Sequence, residues 1–187
     1  MKVAITGGIG SGKSYVCSLL AGRGIRVYDC DAAAKMLMRT SEFLKQQLRQ
    51  LVGENVYVNN VLQKPVLAKF LLASEQNKLA VNDIVHPAVV HDFEQSGYDW
   101  LESAILFDSG FDERVHFDCI VCVTAPLEVR IARVMLRDGI SRDRTLEWIY
   151  SQLPQDEVCR RSDFEIVNDG ERNIDEQINH IISKIQY

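Results

Sequence analysis

Gly7-Gly8-Ile9-Gly10-Ser11-Gly12-Lys13-Ser14, directly after the apolar run Val3-Ala4-Ile5-Thr6, decides the fold of this 187-residue chain. The eight residues satisfy G-x-x-x-x-G-K-[ST], the spacing of a phosphate-binding loop. Residues without a β-carbon let successive backbone N–H groups turn inward around a pyrophosphate, and the helix that follows points its positive end at the same oxygens. In that pattern Lys13 reaches the outer phosphates and the Ser14 hydroxyl can ligate Mg²⁺. Gly8, Gly10, Ser11 and Gly12 are therefore nucleotide-binding residues in this reading.

Working outward, Lys2 to Thr6 reads as a buried strand, Lys13 to about Gly22 as a helix, and Ile25 to Tyr28 as a strand closing on Asp29-Cys30-Asp31. From Ala32 to about Gln95 the pattern is helical, with segments at 33–37, 41–51, 66–72, 75–85 and 87–93; the only strand signal is a short one at Val56-Tyr57-Val58. Pro87 is read as the first residue of its own helix. Alternation resumes with an apolar segment Trp100 to Phe107, a turn at Asp108-Ser109-Gly110, a strand Asp118 to Thr124 and a helix from Ala125-Pro126 to Asp138-Gly139. A polar, Arg-rich helical stretch over 140–162, a strand Phe164 to Val167 and a helix Asn173 to Ile185 complete the chain. Strands alternating with helices behind a phosphate loop predict an α/β fold: a mostly parallel five-stranded sheet in three layers, with the site at the strand C-terminal ends.

The whole-chain composition narrows the class. With 47% hydrophobic and 25% charged residues, the chain is ordinary for one globular domain carrying an insertion. A net charge of −5 argues against a broad nucleic-acid or anionic-membrane surface. The longest strictly apolar run, Cys119 to Val123, is too short to span a bilayer, and the apolar start ends at Gly7 before a signal core could form. A cytoplasmic protein is expected, and a monomer or weak homo-oligomer, since no clear apolar interface stripe stands out. Five scattered cysteines suit reduced thiols, and Cys119-x-x-Cys122 lacks a second pair at zinc-ligand spacing.

A switch GTPase needs Asp-x-x-Gly and Asn/Thr-Lys-x-Asp, but Asn77-Lys78-Leu79-Ala80 lacks the final Asp and no glycine has an Asp three residues before it. Protein-kinase and dinucleotide folds need G-x-G-x-x-G, which is absent. Transfer to a small molecule remains, with a nucleotide-dependent regulator as the alternative from another class. Asp29 and Asp31, two apart at the end of a strand, would point to opposite sides of an extended chain, one facing the site and one supporting it. Either could instead cap the following helix. Between residues 130 and 161 seven arginines stand against five acids, and Arg133 and Arg137 lie one turn apart. Cations there suit a lid that closes over transferring phosphate and excludes water.

Six motifs in order now carry a resemblance. They are Thr6 to Ser14, Asp29-Cys30-Asp31, His86-Pro87, Leu106-Phe107-Asp108-Ser109-Gly110, Arg133 to Gly139, and Asn168-Asp169-Gly170. Over essentially its whole length the chain resembles the dephospho-coenzyme A kinase family, in which the second motif is Asp-Ala-Asp. The resemblance implies a P-loop kinase fold and ATP-dependent phosphorylation of the ribose 3′-hydroxyl of dephospho-coenzyme A, with ATP as co-substrate and Mg²⁺. The other candidate acceptors are another small alcohol or a nucleoside monophosphate.

By the same resemblance Asp31 is the base, with Lys13 and Arg137 beside it in catalysis. Tyr15, Arg133, Arg137, Asn168 and Gly170 join the loop residues on ATP. Thr6, Asp29, Lys35, His86, Leu106 and Phe107 are implied on the substrate side. His86-Pro87 reads equally as a substrate contact or as a plain helix start. Glu102 aligns with an acid that holds a Mg²⁺-bound water, or is an ordinary buried carboxylate. Residues 32–95 are implied to be the coenzyme A-binding insertion and 138–153 the lid. Tyr15, Ala104 and Trp148 depart from the family's usual Thr, Pro and Arg.

Overall fold

A computed structural model describes residues 1–185 and divides the chain into two compact units, Met1–Tyr28 with the residues from Tyr98 on, and Asp29–Gly97. The first unit opens with β1 (Val3–Thr6), the phosphate loop and α1 (Lys13–Ala21). Strand β2 (Val27–Asp29) follows and ends where α2 (Cys30–Thr40) starts. The Asp29 carboxylate accepts a hydrogen bond from the Ala32 N–H at 2.9 Å and is the N-cap of α2. Asp31 is thereby in the first helical turn, not on extended chain. The expectation that the two acids splay to opposite sides of a strand is corrected: the capping reading holds for Asp29, and Asp31 follows helical spacing.

The second unit continues with α3 (Glu42–Val52), a 3₁₀ turn at Glu54–Val56, and an antiparallel hairpin of β3 (Tyr57–Val58) and β4 (Val61–Leu62). Asn59 and Asn60, with φ of 48° and 64°, make its two-residue turn, the left-handed geometry that favours asparagine. The strand signal at Val56-Tyr57-Val58 is thus one half of a hairpin whose second strand the sequence did not announce. Helices α4 (Lys64–Ala73) and α5 (Glu75–Gln95) complete the unit.

Pro87 lies inside α5, so the predicted break into two helices is corrected. An internal proline removes one helical hydrogen bond and crowds the preceding turn. Here Val81, Val85, Val89 and Phe93 recur every fourth residue on one buried stripe, and packing on both sides of residue 87 carries the helix across. Ser74 caps its start through the Asn77 N–H.

Back in the first unit, β5 is only Trp100–Glu102, and residues 104–110 are turns leading to a one-turn α6 (Phe111–Arg114). The predicted apolar segment to Phe107 was too long for a strand because Leu106 and Phe107 are buried from a turn. Then come β6 (Cys119–Thr124), α7 (Leu127–Asp138), α8 (Arg142–Tyr150), α9 (Gln155–Arg160), β7 (Phe164–Val167) and α10 (Ile174–Ile185). Gly139 ends α7 in the left-handed conformation, as a C-terminal glycine should.

The five strands are ordered β2-β5-β1-β6-β7, and β1 pairs in parallel with both β5 and β6, as does β6 with β7. Val3 and Ile5 alternate with Ala4 and Thr6 across the central strand. The first pair joins Val121, Val123 and Ile166 in a core closed by Val16 and Leu20 of α1 and Ile178 and Ile181 of α10. On the opposite face of β6 the Cys122 sulfur lies 3.4 Å from Cys159 of α9. Cys119 and Cys122, three apart in a strand, point to opposite faces, and burial pushes the Cys119 thiol up to about 11 and raises that of Cys122 as well. All five cysteines are free thiols.

Leu101 is fully buried in the middle of β5. Leu101→Ala should cost roughly 2–5 kcal/mol of unfolding free energy, read as a lower urea midpoint at unchanged slope.

Candidate active site

The phosphate loop leaves the C-terminal end of β1, where Thr6 is buried in register with Cys122. Two of its glycines are dictated by contact. A β-carbon on Gly7, whose φ is 140°, would stand 2.2 Å from the Val123 carbonyl oxygen; one on Gly12, at φ 95°, would stand 2.1 Å from Nδ2 of Asn168. The chain passes too close to its neighbours for any other residue.

The loop's carbonyls are held from outside. Lys13 is buried, and its Nζ donates to the Gly7 oxygen at 2.8 Å and sits 3.6 Å from Oε1 of Glu102 at the end of β5. Arg130 Nε donates to the Ile9 oxygen at 2.9 Å. Asn168 Nδ2 donates to the Ser11 oxygen at 2.9 Å while its Oδ1 accepts from Arg133 Nη2 at 3.1 Å, and Arg133 Nη1 reaches the Gly10 and Ser11 oxygens at 3.4 and 3.3 Å. Asn168 is itself pinned by its N–H to the Thr124 carbonyl. On the other side of the peptide, the Ile9 N–H donates to Oε1 of Gln152 at 2.7 Å.

Loop residues Gly8 to Ser14, Lys13, Glu102, Arg133 and Asn168 are thus brought together around one backbone turn, and Ser14 lies exposed in the first turn of α1. Tyr15 donates its N–H to Gly12 at 3.0 Å in that same turn, with its ring exposed. Gly170 sits at φ 93° in an exposed turn where Asp169 Oδ1 accepts from the N–H groups of Glu171 and Arg172. Arg137, at the exposed end of α7, forms a two-pronged pair with the adjacent Asp138 at 3.0 and 2.7 Å. Leu106 and Phe107 are buried, and the Arg161 guanidinium lies 4.1 Å from the Phe107 ring centre. Asp108 Oδ1 accepts from the Leu153 N–H at 3.1 Å, tying the turn before α6 to the chain after α8.

The remaining predicted residues belong to the second unit. Asp31 and Lys35 are exposed on α2, four apart and hence on one face. His86 is half-buried within α5, so the plain helix-start reading of His86-Pro87 is overturned.

Two residues escaped their proper weight. Arg130 is one of the seven arginines between residues 130 and 161, yet it is 6% exposed and its charge is fixed against the loop, burial lowering its pKa from the free value. Gln152 was not singled out at all: a lone amide reaching a partner 143 residues away leaves no local pattern.

The residues fit a polyphosphate. The buried Ser11 hydroxyl has no hydrogen-bond partner among the described residues, and Lys13, Arg130 and Arg133 supply positive charge at one turn of backbone. They also fit Mg²⁺ held largely by phosphate oxygens. The donors present are hard oxygens, Ser14 and Glu102, and no cluster of three or more His, Cys, Asp or Glu that could hold a metal occurs among the described residues.

Fold and loop together define a P-loop kinase. Residues 1–173 match the family model described as Dephospho-CoA kinase. A dephospho-CoA kinase from Bacteroides fragilis is 43% identical, the alignment covering 100% of this chain and 96% of that protein. A crystal structure of a protein from Thermus thermophilus superposes with a TM-score of 0.83 at 32% identity, covering 99% of this chain and 97% of that one. Shikimate kinase from Bacteroides thetaiotaomicron shares the fold, with a TM-score of 0.58 at 14% identity, 100% of this chain and 99% of that chain being covered. The chain belongs to the dephospho-CoA kinase family.

Replacing Gln152 by Leu leaves the Ile9 N–H without its acceptor. Losing such a bond is worth about 1 kcal/mol, roughly fivefold. The KM for ATP should rise by that factor in Gln152→Leu, as measured by initial rates at varied ATP.

Proposed function

We propose that the chain transfers the γ-phosphoryl group of ATP to the ribose 3′-hydroxyl of dephospho-coenzyme A, giving coenzyme A and ADP. The observation that carries this reading is a phosphate loop braced on its carbonyl side by Lys13, Arg130, Arg133 and Asn168, in a chain of the dephospho-CoA kinase family. In the reaction the bond between the γ-phosphorus and the β,γ-bridging oxygen breaks and a bond to the 3′-oxygen forms. The hydroxyl proton passes to the Asp31 carboxylate. Lys13 and the loop N–H groups bind the β- and γ-phosphates, and Arg133 and Arg137 offset charge on the equatorial oxygens. Ser14, with Glu102 through water, would hold Mg²⁺, which when bound neutralises charge between the β- and γ-phosphates.

On the acceptor side, Asp29 fixes the start of α2, Lys35 pairs with a substrate phosphate, and Thr6, His86, Leu106 and Phe107 shape the site. Asn168 and Gly170 flank the adenine. The segment 138–153 acts as the lid, and residues 32–95 form the coenzyme A-binding insertion. No helix among the described residues is long and apolar enough to cross a membrane. We place the reaction in the cytoplasm, carried out by a monomer or weak homo-oligomer.

A coupled assay of ADP release with ATP, Mg²⁺ and dephospho-coenzyme A tests the reading, and ADP release that this acceptor does not stimulate overturns it. Asp31→Asn should lower kcat by about 10²–10⁴, the range for a general base, with ATP affinity by titration unchanged. Near-wild-type turnover would remove Asp31 from that role.

A further inference from the structure

Strand β6 and helix α9 meet through two sulfurs that have no part in the proposed reaction. The sulfurs of Cys122 and Cys159 lie 3.4 Å apart, although the residues are 37 positions apart in the chain. The segment between them carries α7 and α8, and with these Arg130, Arg133, Arg137 and Gln152. Cys122 is fully buried and Cys159 half-buried, so solvent reaches the pair at Cys159. Glu165 of β7 stands beside them, its Oε1 3.9 Å from the Cys159 sulfur and accepting from the Thr124 hydroxyl at 2.6 Å. Asp156 of α9 and Lys13 also act on the pair through their charge. Burial raises both thiols above their ordinary value; the hydrogen bond between the sulfurs raises Cys122 further and lowers Cys159. Cys159 is thus the reachable sulfur and the easier of the two to ionise.

We infer that Cys159 and Cys122 form a peroxide-sensitive pair whose disulfide loosens the hold of Gln152 on the phosphate loop. The Cys159 thiolate attacks one oxygen of hydrogen peroxide and the O–O bond breaks. The sulfur becomes a sulfenic acid, and the released hydroxide takes up a proton to leave as water. The Cys122 sulfur then attacks the sulfenic sulfur, the S–O bond breaks and the S–S bond forms, and the departing hydroxide carries off the Cys122 proton as a second water. Two thiols give up two electrons and two protons, and the peroxide gains them. The first step is slow, because a raised thiol is ionised only in small part at neutral pH. The second is fast, because the resolving sulfur is already in contact. A disulfide of about 2.05 Å requires the sulfurs to close from 3.4 Å. Cys122 is fixed in a strand paired on both sides, with β1 and β7, so α9 makes the movement. Gln152 and Leu153 lead directly into α9, and they hold the Ile9 N–H at 2.7 Å and the Asp108 carboxylate at 3.1 Å. Drawing α9 toward β6 therefore pulls on the Gln152 contact. Formation of the bond concerns these two cysteines alone; its consequence for ATP rests on the proposed kinase site.

The test treats the reduced full chain with hydrogen peroxide, blocks the remaining thiols and maps the cysteines by peptide mass spectrometry. A single cross-linked peptide joining Cys122 to Cys159 is expected, with Cys17, Cys30 and Cys119 still thiols, and dithiothreitol should reverse it. Cys159→Ser should form no bond, and Cys122→Ala should stop at a sulfenic acid on Cys159 that dimedone captures. By calorimetry the Kd for ATP should be about fivefold weaker in the oxidised wild type, the loss of one hydrogen bond. Peroxide should leave the Kd of Cys159→Ser unchanged. In Gln152→Leu oxidation should add no further weakening, since the contact is already gone. A native chain that keeps all five thiols overturns the inference and makes the pair inert packing. So does a disulfide through any other cysteine, or the expected bond with an unchanged Kd for ATP. A wild type that binds no ATP in either state defeats the proposed kinase site separately, and the peptide map still decides whether the pair closes.

Discussion

A backbone that turns its N–H groups toward an anion must turn its carbonyls the other way, and buried carbonyls have to be satisfied. That requirement organises the first unit. The Gly7 oxygen is met by Lys13, the Ile9 oxygen by Arg130, and the Gly10 and Ser11 oxygens by Arg133 and Asn168. These donors come from α1, from two successive turns of α7, and from the chain just past β7. The sheet order β5-β1-β6-β7 is what sets the starts of α1 and α7 and the end of β7 around a single turn of chain. Close approach also fixes the loop's glycines: a side chain at Gly12 would take the space of the bracing Asn168 amide, and one at Gly7 that of the Val123 carbonyl.

The same groups do electrostatic work. Three of the braces are cations, one of them buried enough that desolvation alone lowers its pKa, and they surround a turn that has no acid of its own. Glu102 is the counter-charge, close to Lys13 but at the end of a different strand. A site so arranged favours a polyanion, because the charges are fixed in place by hydrogen bonds to the backbone rather than by flexible surface pairs. Arg142 with Glu128 and Arg144 with Glu147 are of the latter kind, exposed and screened.

What the sequence disclosed follows from how local each signal is. The loop, the buried strands and the Gly139 stop of α7 are written in adjacent residues, and all were legible. Arg133 was legible because one-turn spacing to Arg137 drew attention to it. Gln152 and the special position of Arg130 depend on which distant backbone they meet, which only the fold supplies. Pro87 misled because local propensity argues for a break, whereas the decisive energy lies in the buried stripe of α5. The Asp29-Cys30-Asp31 segment misled in the other direction. Reading it as extended ignored the capping strength of Asp29, which starts α2 at Cys30 and so sets Asp31, Lys35 and Arg39 at successive turns of one helix face.

The chain leaves the first unit after Tyr28 and re-enters at Tyr98, and these two rings meet edge to face with centroids 5.8 Å apart. The sheet of the first unit therefore has to close a loop as long as the whole stretch Asp29–Gly97 before β5 can be laid down beside β1. Closure entropy grows only logarithmically, about 0.6 kcal/mol for each doubling of length, so native stability suffers little from so long a detour. Speed is another matter, since pairings distant in sequence slow folding. If the helices between the two tyrosines collapse first, they draw the strand ends together, and the order of assembly on the ribosome becomes part of what this architecture encodes.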